Sequence, residues 1–277
     1  MPNSKRTVFF ISDSTAITAE TLGQSLLAQF DHIHFNQFTL PFVDAPEKAQ
    51  EAVLIIKEAA KIGSTKPIVF STLLNAEIRE MIKSSDCIFF DFIDALLSRL
   101  EAELSMESSH RVGIYHKIKD IDYDVRMNAV NYALGNDDGI SIKNFDVSEV
   151  ILIGISRTGK TPTCIYMALQ FGLCAANYPL TEEDFVGEDK KLYSALHLVR
   201  EKLFGLSINP DRLHKIRSER CPNSRYASLS QCQMEVTMAE SLFLAEDIPY
   251  INVTSMSVEE IAAHILQAQK LQRRICA

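Results

Sequence analysis

The sequence predicts an α/β protein: two α/β domains with mainly parallel sheets, the second carrying a phosphate-binding loop. Three observations carry this. Strand-like and helix-like stretches alternate through the first part of the chain. The alternation lapses after Leu104 and resumes near Val150. Where it resumes, an apolar run breaks into Gly154-Ile155-Ser156-Arg157-Thr158-Gly159-Lys160-Thr161, spelling G-x-x-x-x-G-K-T, and a helical pattern follows. Strands alternating with helices imply a parallel sheet with helices on both faces.

The elements follow in order. Thr7–Ser12 reads as a strand and Ala19–Phe30 as a helix with Leu22, Leu26 and Leu27 on one face. His34–Leu40 alternates as a strand does. Pro46–Ile62 is helical, with Gly63 as its stop. Pro67–Ser71 and Cys87–Asp91 are short apolar strands, followed by helices over Ala76–Lys83 and Ile93–Leu104. Residues 105–113 have no period and read as a connector. Asp122–Leu134 is a helix able to join either side, closed by the turn Gly135-Asn-Asp-Asp-Gly139. The expected organisation is an N-terminal α/β domain over 1–110, a connector with helix over 111–148, and a kinase-like domain over 149–277.

In the second half Val150–Ile153 is a buried strand, and Leu173–Tyr178 is the next one. Lys190–Phe204 reads as a helix, Phe204–Ile208 as a strand, and Pro210–Arg220 as a short helix. Ser228–Ala245 and Val258–Arg274 are helices separated by the strand Tyr250–Thr254. Ser257-Val-Glu-Glu260 is a capping box at the start of the last helix.

The loop chemistry needs its spacing. Glycines let the backbone curl so that successive N–H groups converge on one point. The helix start adds N–H groups without intrahelical partners and the positive end of its dipole. Lys160 supplies a mobile charge for the outer phosphates, and the Thr161 hydroxyl suits Mg²⁺. Ser156 and Arg157 add a hydroxyl and a fixed cation, and Pro162 sits in the first helical turn, where a missing N–H costs little.

Composition narrows the partners. The net charge of −8 argues against a general nucleic-acid surface. No apolar run reaches membrane-spanning length. The N-terminus leads straight into a strand-like run, with no signal-peptide core. The six cysteines contain no C-x-x-C pair, which fits reduced thiols in a cytoplasmic protein.

Other stretches offer chemistry beside a plainer reading. The hydroxyl-rich Ser12–Glu20 could hold an anion or cap a helix. The acids of Asn177-Tyr-Pro-Leu-Thr-Glu-Glu-Asp184 could orient Mg²⁺ or accept a proton, or simply favour a helix start. Asp184 is the one retained as a catalytic candidate. No strong carboxylate-ended strand follows the loop, and Asp91 has that look but precedes it. Arg217–Ser228 is a basic patch suited to phosphates or an acidic partner, or a solvated helix end. The seven histidines show no metal spacing. Gly135–Gly139 lacks a full Ca²⁺ loop and reads as a turn.

Together, several of these stretches resemble one family: the bacterial phosphoenolpyruvate synthase regulatory proteins, kin to the pyruvate, phosphate dikinase regulators. The resemblance is carried by Ile11–Glu20, Asn136–Gly139, Gly154–Thr163, Ala176–Asp184, Lys202–Ile208, Ser224–Ser228 and Gln231–Val236. The S-R-x-x-K-T-P-T loop with N-Y-P-L-T-E-E-D behind it is the specific part. Asn136 stands where a histidine is common and Ala16 where many members have glycine; neither is expected to touch the loop. The resemblance implies a bifunctional enzyme that uses ADP to phosphorylate, and switch off, a threonine on phosphoenolpyruvate synthase. It also implies reversal with inorganic phosphate, releasing pyrophosphate. ADP would lie on Gly154–Thr161, with Lys160 neutralising charge, Thr161 on Mg²⁺ and Asp184 as proton acceptor or metal orienter. A homodimer is implied as well. Alternatives are the same chemistry on the dikinase, a small-molecule kinase or ATPase, and a nucleotide sensor that performs no transfer.

Overall fold

The computed structural model describes residues 5–63, 65–109, 120–137, 145–181, 184 and 194–272. Cys276, Glu182, Glu183, residues 110–119 and 138–144 of the expected connector and turn, and the expected helix ends at Lys190 and Arg274 lie outside them. The chain divides into two compact units, Met1–Lys117 and Ile118–Ala277.

The first unit holds strands β1 (Lys5–Ile11), β2 (His34–Leu40), β3 (Ile68–Ser71) and β4 (Ile88–Asp91), with helices α1 (Ile17–Leu27), α2 (Pro46–Ile62), α3 (Ala76–Lys83) and α4 (Asp94–Leu104). The strands form a parallel sheet in the order β2-β1-β3-β4. Alternation along β1 sends Phe9 and Ile11 into a core with Ala49, Ala52 and Ile56 of α2 and Ile78 and Ile82 of α3. It sends Val8 and Phe10 to the other face, against Ala19 and Leu27 of α1. β2 lies at the sheet's edge, and His34, Asn36, Gln37, Phe38 and Thr39 are all exposed.

Two expectations for α1 change. Its buried positions are Ala19, Gly23 and Leu27, while Leu22 and Leu26 are exposed. The reason is a close approach: a Cβ on Gly23 would stand 2.4 Å from Phe10 Cε1 and 2.8 Å from Phe70 Cδ2. The helix packs through its glycine, so the leucines flank the contact. Nor do the hydroxyls cap it. The N-cap is Ala16, at φ 62 with no side-chain cap bond, a left-handed position where glycine carries no steric cost.

Ser12, Asp13, Ser71 and Thr72 are buried at the carboxyl ends of β1 and β3. Asp13 accepts the Leu74 N–H at 2.8 Å, and burial raises its carboxyl above the ordinary 3.8. Such a group favours the fold while protonated. Its stabilising effect is present below about pH 3.8 and is lost as pH rises through the raised value. Asp13→Asn keeps an acceptor for Leu74 without the charge. The variant is therefore expected to gain stability over the parent between pH 4 and neutrality, measured by urea unfolding. A gap that stays constant with pH would contradict this.

The second unit holds α5 (Asp120–Gly135), β5 (Val150–Gly154), α6 (Lys160–Phe171), β6 (Ala175–Pro179), α7 (Ser194–His197), β7 (Leu203–Ser207), α8 (Pro210–Arg220), α9 (Leu229–Ala245), β8 (Tyr250–Asn252) and α10 (Val258–Ala268). Its sheet order, β6-β5-β7-β8, repeats that of the first unit, again with parallel pairs. β5 is buried throughout, as the central strand of a two-sided sheet must be. Ala129 and Ala133 of α5 join this core, so the helix that the sequence left between domains packs here. Phe204 belongs to β7, not to the helix before it. The Ser257–Glu260 capping box is present. In both units the order reverses beside the first strand, and ligands of such sheets collect outside the carboxyl ends of strands at that reversal.

Candidate functional site

The reversal in the second unit falls between β5 and β7, and the turn Gly154–Thr161 leaves β5 there. Gly154 is required by packing. A Cβ would stand 2.5 Å from the Leu206 carbonyl oxygen, so only glycine lets β5 pass β7 at this point. Gly159 is the N-cap of α6 at φ 85, ψ 14. Arg157 also adopts the left-handed region, at φ 77, and its side chain is exposed. A non-glycine residue held there stores about 1–3 kcal/mol of strain.

Inside the turn the side chains bond back to the backbone. Thr158 Oγ1 and Lys160 Nζ both donate to the Ile155 carbonyl, each at 3.0 Å. Lys160 is buried to 5% exposure. Thr163 Oγ1 donates to the Gly159 carbonyl at 2.8 Å, which fixes the first turn of α6. That turn contains no acidic residue. The result is a turn held by its own side chains, with Lys160 buried against the Ile155 carbonyl and Gly159 opening α6.

Behind the turn lies a buried arginine. Arg217 of α8 is 0% exposed. Its guanidinium donates to the Ser156 carbonyl at 3.2 Å, the Tyr226 carbonyl at 3.0 Å and Glu235 Oε2 at 2.7 Å. It also lies 4.1 Å from the centre of the Tyr226 ring, and the Tyr226 hydroxyl bonds Ser156 Oγ at 2.9 Å. Burial works to lower the Arg217 pKa, but the Glu235 hydrogen bond and charge outweigh it, and the group stays cationic. The basic patch expected over 217–228 is thus in part internal: Arg217 braces the turn.

Beside Thr161, at the end of the turn, stand Asn136 and Asp137 from just beyond α5 and Asn177 from β6. Thr161 Oγ1 donates to Asp137 Oδ1 at 2.8 Å. Asn177 Nδ2, from β6, donates to the same carboxylate oxygen and reaches Thr161 Oγ1 at 3.4 Å. Asn136, 3% exposed, accepts the Asn177 N–H on its main-chain oxygen at 3.3 Å. The stretch read as a plain turn away from the loop therefore abuts it. No local pattern marks Asp137. The available signal was the Asn136–Gly139 stretch, which is among those that carry the resemblance.

Asp184 lies elsewhere. Its Oδ1 accepts the Tyr178 hydroxyl at 2.9 Å, and its Oδ2 accepts the Thr181 N–H at 2.7 Å and hydroxyl at 2.9 Å. The segment is tied to the turn by the Leu180 N–H on the Gly154 carbonyl at 2.9 Å. Cys164, one turn along α6, donates its thiol to the Ala176 carbonyl at 3.4 Å. Burial pushes that thiol far above its usual range; Asp137 adds to the shift and Lys160 opposes it. It is an inert core thiol. Among the described residues no cluster of three or more His, Cys, Asp or Glu side chains is placed to hold a metal, and no helix is long and apolar enough to cross a membrane.

Comparison with known proteins adds to this geometry. A model of the Kinase/pyrophosphorylase family matches residues 8–266. A protein of Pseudomonas putida (strain W619), provisionally named a phosphoenolpyruvate synthase regulatory protein, is 54% identical over 271 residues, 98% of this chain and 99% of its own. Proteins with the same provisional name from Alkalilimnicola ehrlichii and Hahella chejuensis are 51% identical over 276 residues and 50% over 272. They cover 99% and 98% of this chain, and 100% and 99% of their own.

Proposed function

This chain belongs to the kinase/pyrophosphorylase family, and from that premise we propose that it is a bifunctional regulator of phosphoenolpyruvate synthase. In one direction the β-phosphoryl group of ADP passes to a threonine hydroxyl of the synthase, leaving AMP and an inactive enzyme. In the other, inorganic phosphate takes the group from the phosphothreonine, releasing pyrophosphate and restoring the hydroxyl.

The observation that supports this reading is the turn Gly154–Thr161 at the sheet reversal, leading into the start of α6, with Lys160 buried in it and Arg157 exposed on it. Phosphoryl transfer is mostly positioning and charge neutralisation, and one anion cradle serves both directions. It holds the diphosphate of ADP in the first and phosphate or nascent pyrophosphate in the second. Lys160 leaves the Ile155 carbonyl for the phosphate oxygens. Arg157, already outside, meets the same charge from the solvent side. Ser156, braced by Arg217 and Tyr226, keeps the curl from opening.

Mg²⁺ suits the donors present. A hydroxyl, a carboxylate and an amide meet at Thr161, the hard oxygen chemistry that this ion takes together with phosphates and water. When bound, it neutralises developing charge on the phosphoryl oxygens. Thr161 is its protein ligand in this reading. Asp184, held by Tyr178 and Thr181 apart from Thr161, is the candidate proton acceptor or metal orienter, and either role requires it to exchange one of those bonds when substrate arrives.

The test uses the synthase with its phosphohistidine, Mg²⁺, and either ADP or ATP. Phosphothreonine is read by mass spectrometry. Label that appears with ADP and disappears on adding phosphate supports the proposal. Transfer only to pyruvate, phosphate dikinase would move the target. Nucleotide turnover without a protein substrate would make the chain a small-molecule kinase or ATPase, and ADP binding without transfer would make it a sensor.

A further inference from the structure

We infer that Asp137 is the carboxylate that holds Mg²⁺ on the bound nucleoside diphosphate, acting with Thr161; this rests on the reading of Gly154–Thr161 as the phosphate cradle. Nucleotide-binding α/β domains commonly supply this carboxylate from the end of a strand beside the loop strand. Here that strand is β7, and it ends in Ser207, whose hydroxyl bonds Glu240. The acid beside Thr161 comes instead from upstream of the loop, just beyond α5.

The placement is built, not incidental. Asn136 closes α5 by donating both its N–H and its Nδ2 to the Tyr132 carbonyl, at 3.0 and 2.8 Å. Its own carbonyl takes the Asn177 N–H, which docks the helix end on β6. Asp137 then falls against Thr161, and Asn177 Nδ2 fixes the same carboxylate oxygen. Thr161 spends its one hydroxyl hydrogen on Asp137. Its oxygen keeps lone-pair capacity for a cation.

Charge decides between two roles. A carboxylate at a helix start is favourable while the cradle is empty. Once a diphosphate binds, the same carboxylate faces like charge across a short distance, and the pair is repulsive unless a cation lies between them. A purely structural acid at this point would oppose the ligand. An acid that shares a divalent ion with the phosphates would recruit it. Asn136 adds a second indication. It is buried to 3% exposure, yet its Oδ1 has no hydrogen-bond partner. Mg²⁺ retains several waters, and these are donors for such an acceptor.

The experiment is isothermal titration of ADP with EDTA or with Mg²⁺, on the full-length protein and on Asp137→Asn. The parent is expected to bind ADP more tightly with Mg²⁺. In the variant this Mg²⁺-dependent gain should fall by at least about 10- to 100-fold, since losing even a group that only orients a metal ligand costs that much. A variant that keeps the full gain would overturn the inference. A parent that binds no ADP under either condition would instead overturn the phosphate-cradle reading. A second measurement needs no substitution: Fe²⁺ in place of Mg²⁺, with ADP and ascorbate, should cut the parent backbone beside Asp137 and Thr161. Cutting centred on Ser207 and Glu240 would assign the ion to Glu240 and sink the proposal, even if Asp137→Asn failed to fold.

Discussion

Lys160→Ala is expected to slow both phosphoryl transfer to the synthase and its phosphate-dependent reversal by about 10²–10³-fold, the range for removing one preorganised electrostatic stabiliser. The fold should survive. The Ile155 carbonyl loses its lysine donor but keeps Thr158 Oγ1 at 3.0 Å. The ammonium is nearly buried, so its charge acts through a poorly screened environment and water replaces it badly. Lys160→Arg should not restore the rate, because a planar fork does not fit the slot of a compact ammonium. Rates of both directions, measured at saturating ADP and at saturating phosphate, check this. A variant within tenfold of the parent in both would remove Lys160 from the chemistry.

Arg217→Met is expected to destabilise the second unit by about 3–5 kcal/mol, because it breaks a buried ion pair from one side. Glu235 would remain largely buried without its cation. The Ser156 and Tyr226 carbonyls would lose donors as well. For a unit of this size that corresponds to a fall in melting temperature of roughly 6–20 °C. Arg217→Lys should fare little better, since an ammonium cannot serve three acceptors in one plane. Arg217→Met combined with Glu235→Leu should recover much of the loss, because two apolar groups replace the whole pair. Urea unfolding of the three variants measures the set. A single-variant loss below about 1 kcal/mol would show that the pair is screened as surface pairs are.

What the sequence disclosed follows the range of the forces involved. Pro46–Ile62, Ala76–Lys83 and Pro210–Arg220 were legible to the residue. Local chemistry sets their starts: proline in the first turn of two, and Asn75 and Asn209 accepting N–H groups as caps. The strand, turn and helix around Gly154–Thr161 were legible because an apolar run, two glycines and a helical pattern mark them locally. Misreadings arose where a distant neighbour decides. Leu22 and Leu26 face solvent because Phe10 and Phe70 occupy the space above Gly23. Arg217 looked like surface charge because Glu235, Tyr226 and Ser156, which make it internal, are spread over more than sixty positions. Asp137 looked like a turn residue because its partners, Thr161 and Asn177, lie 24 and 40 positions away.

β2 has a consequence for handling the protein. His-Phe-Asn-Gln-Phe-Thr-Leu contains no proline, no glycine and no Lys, Arg, Asp or Glu, and it lies at the edge of its sheet. Natural edges are usually blunted by lysine, proline or a bulge. An uncharged seven-residue strand of high β-propensity is also the composition from which cross-β aggregates grow. Heating therefore sets refolding of the first unit against strand-to-strand association between molecules. Its apparent melting point should shift with scan rate and protein concentration, and turbidity should follow the transition. Denaturant titration at low concentration, with dilution back to native conditions, is the route to a reversible stability for this chain.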